Sequence, residues 1–228
     1  MSPATIVLPG DSAPVTATDP KQVVRLGPGL LQTEAGIQAV QAGYLANNSS
    51  GNSWWITGSK KRYVPATGEP VVGTIIARSA EYYKVDIGSA YSALLPILAF
   101  EGATKRNRPN LAVGTVVYGR LTIANKDMEP EMECYNSNSG KADGYGELKE
   151  GLVVNCSLQL CQRLLNPNTP ILSLLGSKMP LDVAIGLNGR IWVFTKEPRL
   201  TIFACNAIIN SEFMSQAQCQ NLVHELFV

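Results

Sequence analysis

The chain has 228 residues, of which 45% are hydrophobic and 16% charged, with 20 Gly, 14 Pro and a net charge of +1. Ordinary hydrophobicity at near-zero charge argues against disorder and against a generically basic nucleic-acid coat; the length suits one large domain or two to three small ones. The longest apolar stretch, 93–100, has eight residues and contains Pro96, against roughly 20 for a membrane span, and no basic-then-apolar signal segment opens the sequence.

Short strand-like runs punctuated by Gly and Pro fill residues 1–65. A run over 5–8 ends at Pro9-Gly10-Asp11, and one over 23–26 is stopped by Gly27-Pro28-Gly29. Residues 37–45 alternate loosely before a polar loop at 47–53, and Trp54-Trp55-Ile56 leads into Lys60-Lys61-Arg62-Tyr63-Val64-Pro65. This spacing predicts a small β-meander domain. From 66 to 146 the candidate strands are 71–78, 82–87, 91–100, 115–125 and a short one near 132–135. Five strands in so short a span suit a closed barrel of the OB type. Residues 136–146, rich in Asn, Ser and Gly, read as a linker. From 147 the character changes: a strand at 152–156 precedes a helix at 157–165, whose apolar residues fall at 158, 160, 161, 164 and 165. Asn166-Pro167-Asn168-Thr169-Pro170 breaks that helix, and a second short helix follows at 171–175. Strands at 181–187 and 190–195 flank Asn188-Gly189, a two-residue hairpin signal, and helices at 198–210 and 215–227 close the chain. The order β-α-α-β-β-α is that of a KH module. The fold class is thus multidomain, mostly β and then α+β, divided at 1–65, 66–146 and 147–228.

The chain holds one histidine, His224, so a Ser-His-Asp triad or a multi-His metal site is disfavoured. Its five cysteines form no C-x-x-C pair, which suggests neither a zinc site nor a disulfide framework and fits a reducing compartment. No cofactor and no metal are expected. Charge is divided evenly among the three segments, so a nucleic-acid site must be a local cluster.

Three long motifs carry a resemblance. They are Phe100-Glu101-Gly102-Ala103-Thr104-Lys105-Arg106-Asn107-Arg108-Pro109-Asn110, Ala124-Asn125-Lys126-Asp127-Met128-Glu129-Pro130-Glu131-Met132 and Gly186-Leu187-Asn188-Gly189-Arg190-Ile191-Trp192-Val193. Together with Val7-Leu8-Pro9-Gly10-Asp11 and Lys61-Arg62-Tyr63-Val64-Pro65, they resemble the eukaryotic RNA exosome cap subunits of the ribosomal RNA-processing protein 40 type. The resemblance implies an N-terminal β domain, an S1 domain and a KH domain. It implies a non-catalytic subunit that sits on a ring of RNase PH-like proteins beside other cap subunits and routes single-stranded RNA to 3′→5′ processing and decay. It also implies a nuclear, nucleolar and cytoplasmic protein that has no membrane partner and is not an obligate homo-oligomer.

The residues add their own reading. S1 domains commonly stack bases on aromatics of the second strand and use a Gly-Leu-Val-His stretch on the third. Here Glu81 and Lys84 fall where those aromatics would sit, and Ala93-Leu94-Leu95-Pro96 replaces the third-strand motif. Tyr82 remains, on the same face as Lys84 by period-two alternation, so the stacking platform is depleted. Tyr82 and Lys84 are candidates for RNA contact, or else a solvated face or subunit contact. Lys105, Arg106 and Arg108 are the better candidates: three cations within four residues, in a loop between barrel strands, form a compact patch for phosphates. The plainer reading is a solvated loop, or one pairing with a neighbour's carboxylates.

A KH module grips backbone through a Gly-x-x-Gly loop between its first two helices; the joint here has no glycine and no cation. Gly186-Leu187-Asn188-Gly189 looks like that clamp but lies between two strands, so it reads as a type I′ turn with φ > 0 at both Asn188 and Gly189. Counting outward from the turn puts Ile185 opposite Trp192 and places Val183, Ile185, Trp192 and Phe194 on one face beneath the helices. Trp192 is then core and the KH module a scaffold. Asp127, Glu129, Glu131 and Glu133 alternate, which would put four carboxylates on one side of an extended segment, as a Mg²⁺ site could use. With no base, nucleophile or phosphate loop beside them, Asp127, Met128, Glu129 and Glu131 read as a contact with a basic partner surface. A stand-alone S1/KH module in translation or RNA transport would be expected to keep both the aromatics and the clamp. A hydrolase would need histidines or a supported acidic site.

Overall fold

The computed structural model describes residues 5–15, 23–34, 36–48, 52–58, 60–125, 127–137, 139–166 and 169–226, without the side chains of 216 and 224–226. His224 and part of the joint at 166–170 lie outside the described groups. The chain forms two compact units, Met1–Lys60 and Lys61–Val228.

The first unit is strand-rich, with β1 (Thr5–Val7), β2 (Arg25–Leu26), β3 (Leu30–Thr33), β4 (Gly36–Ala39), β5 (Gly43–Asn47) and β6 (Ser53–Thr57). Its pairing is not that of a sequential meander. A sheet ordered β1-β5-β6-β2 contains a parallel β2–β6 pair, and β3–β4 form a separate hairpin. The run expected over 37–45 is two strands, because the chain turns at 40–42 and re-enters beside β6. Glycine permits that entry: a Cβ on Gly43 would meet the Thr57 carbonyl oxygen at 2.5 Å. Val7, Leu30, Ala39 and Ile56 form the small core.

In the second unit β7 (Pro70–Arg78), β8 (Tyr82–Asp86), β9 (Ala93–Pro96), β10 (Val116–Ile123) and β11 (Glu131–Glu133) close a five-stranded barrel. β7 pairs with β8, β8 with β9, β9 in parallel with β11, β11 with β10, and β10 back to β7. Alternation sends Val71, Ile75, Tyr83, Val85, Val117, Leu121 and Met132 inward. The stretch expected as a linker, 136–146, is a folded loop over its described residues up to 145. Asn136 Nδ2 and Ser139 Oγ donate to Asp143 Oδ2 at 2.9 and 2.7 Å, and the Ala142 N–H donates to Glu101 Oε2 at 2.8 Å. It delivers a further strand, β12 (Gly146–Leu148), onto β10.

The KH module comprises β13 (Leu152–Asn155), α1 (Leu158–Leu164), α2 (Pro170–Lys178), β14 (Asp182–Gly186), β15 (Arg190–Phe194), α3 (Pro198–Asn210) and α4 (Gln216–Leu226). Its sheet is ordered β13-β15-β14. Ser157 caps α1, its Oγ accepting from the Leu160 N–H at 3.0 Å. Leu160, Leu164, Ile171, Leu175, Ile185, Ile191, Val193, Ala204 and Ile208 form the core between sheet and helices. The other sheet face packs on the barrel, where Ala184 and Trp192 join Val72, flanked by Tyr118, Leu148 and Phe194.

The hairpin register corrects the sequence reading. Gly186 pairs with Arg190, Ile185 with Ile191 and Ala184 with Trp192, so the loop has three residues, Leu187, Asn188 and Gly189. Only Gly189, at φ 80°, is left-handed there; Asn188 is not. A three-residue hairpin with glycine in the left-handed position is a common alternative to type I′. A one-residue shift exchanges the two faces of a strand. Trp192 is therefore core, 7% exposed, but on the barrel side of the sheet rather than beneath the helices.

Candidate nucleic-acid interface

The loop joining β9 to β10 is braced from below. Tyr83, buried in the barrel, donates its hydroxyl to the Pro109 carbonyl at 2.6 Å and accepts the Leu111 N–H at 3.3 Å. Arg78 Nη1 donates to Asn110 Oδ1. Within the loop the Thr104 N–H donates to the Asn107 carbonyl, the Asn107 N–H to Thr104 Oγ1, both at 3.0 Å, and Arg108 Nε to the Lys105 carbonyl at 3.2 Å. The turn so built holds Lys105, Arg106 and Arg108 on the surface, all exposed. The ion pairs among the described residues are Lys84–Glu129, Lys149–Glu147 and Arg190–Asp86, so none of the three loop cations is neutralised. Lys105 and Arg108 also line a cavity of about 210 Å³ with Ala80, Glu81, Ile97 and Leu98.

On the neighbouring barrel face Tyr82 pairs with Pro96 and Lys84 with Leu94. Tyr82 and Lys84 are half-buried there, while Tyr83 and Val85 between and beside them point inward. Lys84 Nζ lies 3.6 Å from Glu129 Oε1, with the two side chains 38% and 41% exposed. Such a pair is weak, yet it brings together a residue read as an RNA contact and one read as a subunit contact.

The acidic run does not present four carboxylates on one side. Only 131–133 is a strand; Asp127, Met128 (59% exposed) and Glu129 precede it on an exposed turn. Glu131 is half-buried, and Glu133 is 8% exposed and accepts from Ser137 Oγ at 3.1 Å. Among the described residues no three His, Cys, Asp or Glu groups converge as metal ligands.

The KH module turns its polar groups to internal use. Arg163, in the last turn of α1, donates to the carbonyls of Ser211 and Glu212, and Thr169 Oγ1 donates to the Arg163 carbonyl. Asn188 spends its whole side-chain amide on the barrel. Its Oδ1 accepts the Val72 N–H at 3.2 Å, and its Nδ2 donates to the carbonyls of Val72 and Ile87 at 2.8 and 2.9 Å. Beside it Leu187 N–H donates to the Pro70 carbonyl at 2.9 Å, and Arg190 reaches the Asp86 carbonyl and Oδ2, each at 2.7 Å. Partial burial pushes the Asp86 carboxyl up, but the Arg190 and Gly88 hydrogen bonds and the guanidinium charge outweigh it and hold it below its usual value. The sequence resembling a KH clamp is thus a latch between the module and the barrel. Asp86 and Arg190 were missed as its partners because nothing local links positions so far apart. The five cysteines are free. Two of them, Cys156 and Cys161, touch at 3.4 Å in the staple positions flanking the α1 cap.

Comparison with known proteins matches each part of the chain. The family model for the N-terminal domain of exosome complex exonuclease Rrp40 covers residues 24–62, that for the S1 domain of exosome complex component RRP40 covers 63–146, and a KH domain model covers 151–199. The exosome complex component rrp40 of Schizosaccharomyces pombe is 44% identical over 227 residues, 96% of this chain and 94% of its own. The exosome complex component RRP40 of Homo sapiens is 39% identical over 206 residues, 88% of this chain and 74% of its own. A crystal structure described as an exosome complex RNA-binding protein superposes with a TM-score of 0.60 at 23% identity, over 73% of this chain and 96% of its own, a likeness of fold.

Proposed function

Since the chain belongs to the RRP40 family of exosome complex components, we propose that it is a non-catalytic cap subunit of the RNA exosome, seated on an RNase PH-like ring beside other cap subunits and guiding RNA toward 3′→5′ processing and decay. The observation that carries the RNA part is the contrast between two loops. Among the described residues the barrel loop holds Lys105, Arg106 and Arg108 exposed and without ion pairs, whereas the α1 cation nearest the KH joint, Arg163, is engaged by backbone carbonyls. Cations on a rigid, solvated loop meet phosphates at small desolvation cost. Tyr82 and Lys84 flank the path, and Asp127, Met128, Glu129 and Glu131 offer an acidic, partly apolar edge to a basic partner surface. Asn188, Gly189 and Trp192 keep the KH module fixed as scaffold.

In this reading the domains are 1–65, 66–146 and 147–228, no cofactor takes part, and the protein works in the nucleus, nucleolus and cytoplasm without being an obligate homo-oligomer. A stand-alone RNA-transport or translation module finds no support in the family assignment. Affinity purification of the tagged chain followed by mass spectrometry tests the proposal. Stoichiometric recovery of RNase PH-like subunits is expected, and recovery of the chain alone contradicts it. The non-catalytic part has its own test. Mg²⁺-dependent RNA turnover by the pure chain, abolished by Glu129→Gln, overturns it.

A further inference from the structure

The cavity beside the cationic loop is not shaped for phosphate alone. Its apolar lining is Ile97, buried, Leu98, 48% exposed, and Ala80. Lys105, Arg108 and Glu81 complete the lining. Glu81 is placed by the backbone: its carbonyl accepts the Ile97 N–H at 3.0 Å, and the Ser79 N–H donates to the Tyr82 carbonyl at 2.9 Å, closing the β7–β8 turn. The Glu81 carboxylate makes none of the ion pairs among the described residues, so it is not held as a counter-ion to the two cations. In a site for phosphates only, an exposed carboxylate beside the cations works against binding. An apolar lining shared by two cations and a carboxylate acceptor matches a different object. That object is a planar base with apolar faces, a polar edge and an attached phosphate.

We propose that this slot takes one unstacked nucleobase from a single strand passing the loop, with Lys105 and Arg108 on the adjoining phosphate and Glu81 accepting a hydrogen bond from an amino group on the base edge. A carboxylate is an acceptor only. Cytosine presents its N4 amino group and adenine its N6 amino group to such an acceptor. Uracil presents a single ring N–H flanked by two carbonyl oxygens, which the carboxylate repels. The slot therefore discriminates against uracil, at a site that carries no stacking platform of the usual kind.

The inference rests on the reading that the loop touches RNA, and one experiment separates the two. Fluorescence anisotropy at low salt compares oligocytidine with oligouridine of equal length on the full chain. Oligocytidine is expected to bind about fivefold tighter, the worth of one net hydrogen bond. Glu81→Ala is expected to bring the two to parity whatever it does to overall affinity, and the exposed position of Glu81 leaves folding intact. Equal binding by the wild-type chain, or a preference that survives Glu81→Ala, overturns the slot and leaves the loop standing. The Lys105→Glu, Arg108→Glu double variant is expected to weaken both RNAs in parallel. Unchanged binding there overturns the loop itself.

Discussion

Removing the Asn188 amide is expected to destabilise the second unit far more than an ordinary turn substitution. In Asn188→Ala, three buried backbone groups lose their partner: the Val72 N–H and the carbonyls of Val72 and Ile87. A buried polar group left unsatisfied costs about 1–3 kcal/mol. The three are adjacent, so a single entering water can serve more than one of them. The expected loss is about 3–5 kcal/mol, which for a domain of this size corresponds to a Tm lower by roughly 10 °C. Urea unfolding followed by fluorescence and far-UV circular dichroism measures it. Asn188→Gly is the control, because glycine suits a turn but has no amide. If Asn188 acts through local turn preference, glycine restores stability. If it acts as the latch between barrel and KH module, glycine fails as alanine does. Stability within about 0.5 kcal/mol of wild type in either variant refutes the reasoning.

Trp192→Arg is expected to cost several kcal/mol, because it removes a ring stacked on Phe194 at 6.0 Å and places an unpaired charge between barrel and sheet; an unchanged melting temperature contradicts this. The Asp86–Arg190 pair makes stability pH-dependent on the acid side. Asp86 titrates below its unfolded value of about 3.9, so its contribution is fully present above that pH and is lost as pH falls through the lower, folded value. Asp86→Asn is expected to flatten the acid limb of a stability–pH curve, and an unaltered limb counts against the pair. For RNA binding, three neutralised phosphates at about 0.7 each give a log–log salt slope near −2 on a single strand. Charge reversal of Lys105, Arg106 and Arg108 together is expected to abolish that slope, and a slope that persists places the contact elsewhere.

Much of the architecture was legible because its signals are local. Alternation marked β7, β8 and β10, helical spacing marked α1, and the strand–helix order gave the KH module. What escaped was set at a distance. β12 is a three-residue strand inside a Gly-rich stretch, and only pairing with β10 makes it one. Asn188-Gly189 carries a real turn signal, but the amide is spent on the barrel and not on its own turn, and that choice set the register. Gly186 shows the same cause, since a Cβ there would lie 2.6 Å from the Val72 nitrogen. At the candidate site the cationic loop could be read from spacing alone. Its bracing by Tyr83, the Lys84–Glu129 pair and the nearness of Glu81 to Lys105 and Arg108 needed the closed barrel.

The central claim, that RNA passes over the barrel loop while the KH module serves as scaffold, is tested most directly by crosslinking. Photoreactive single-stranded RNA is loaded on the assembled complex and the crosslinked peptides of this chain are mapped by mass spectrometry. Crosslinks are predicted at residues 104–108 and at Tyr82, with none at the joint between α1 and α2. Crosslinks concentrated at that joint, with the barrel loop unlabelled, would contradict the account.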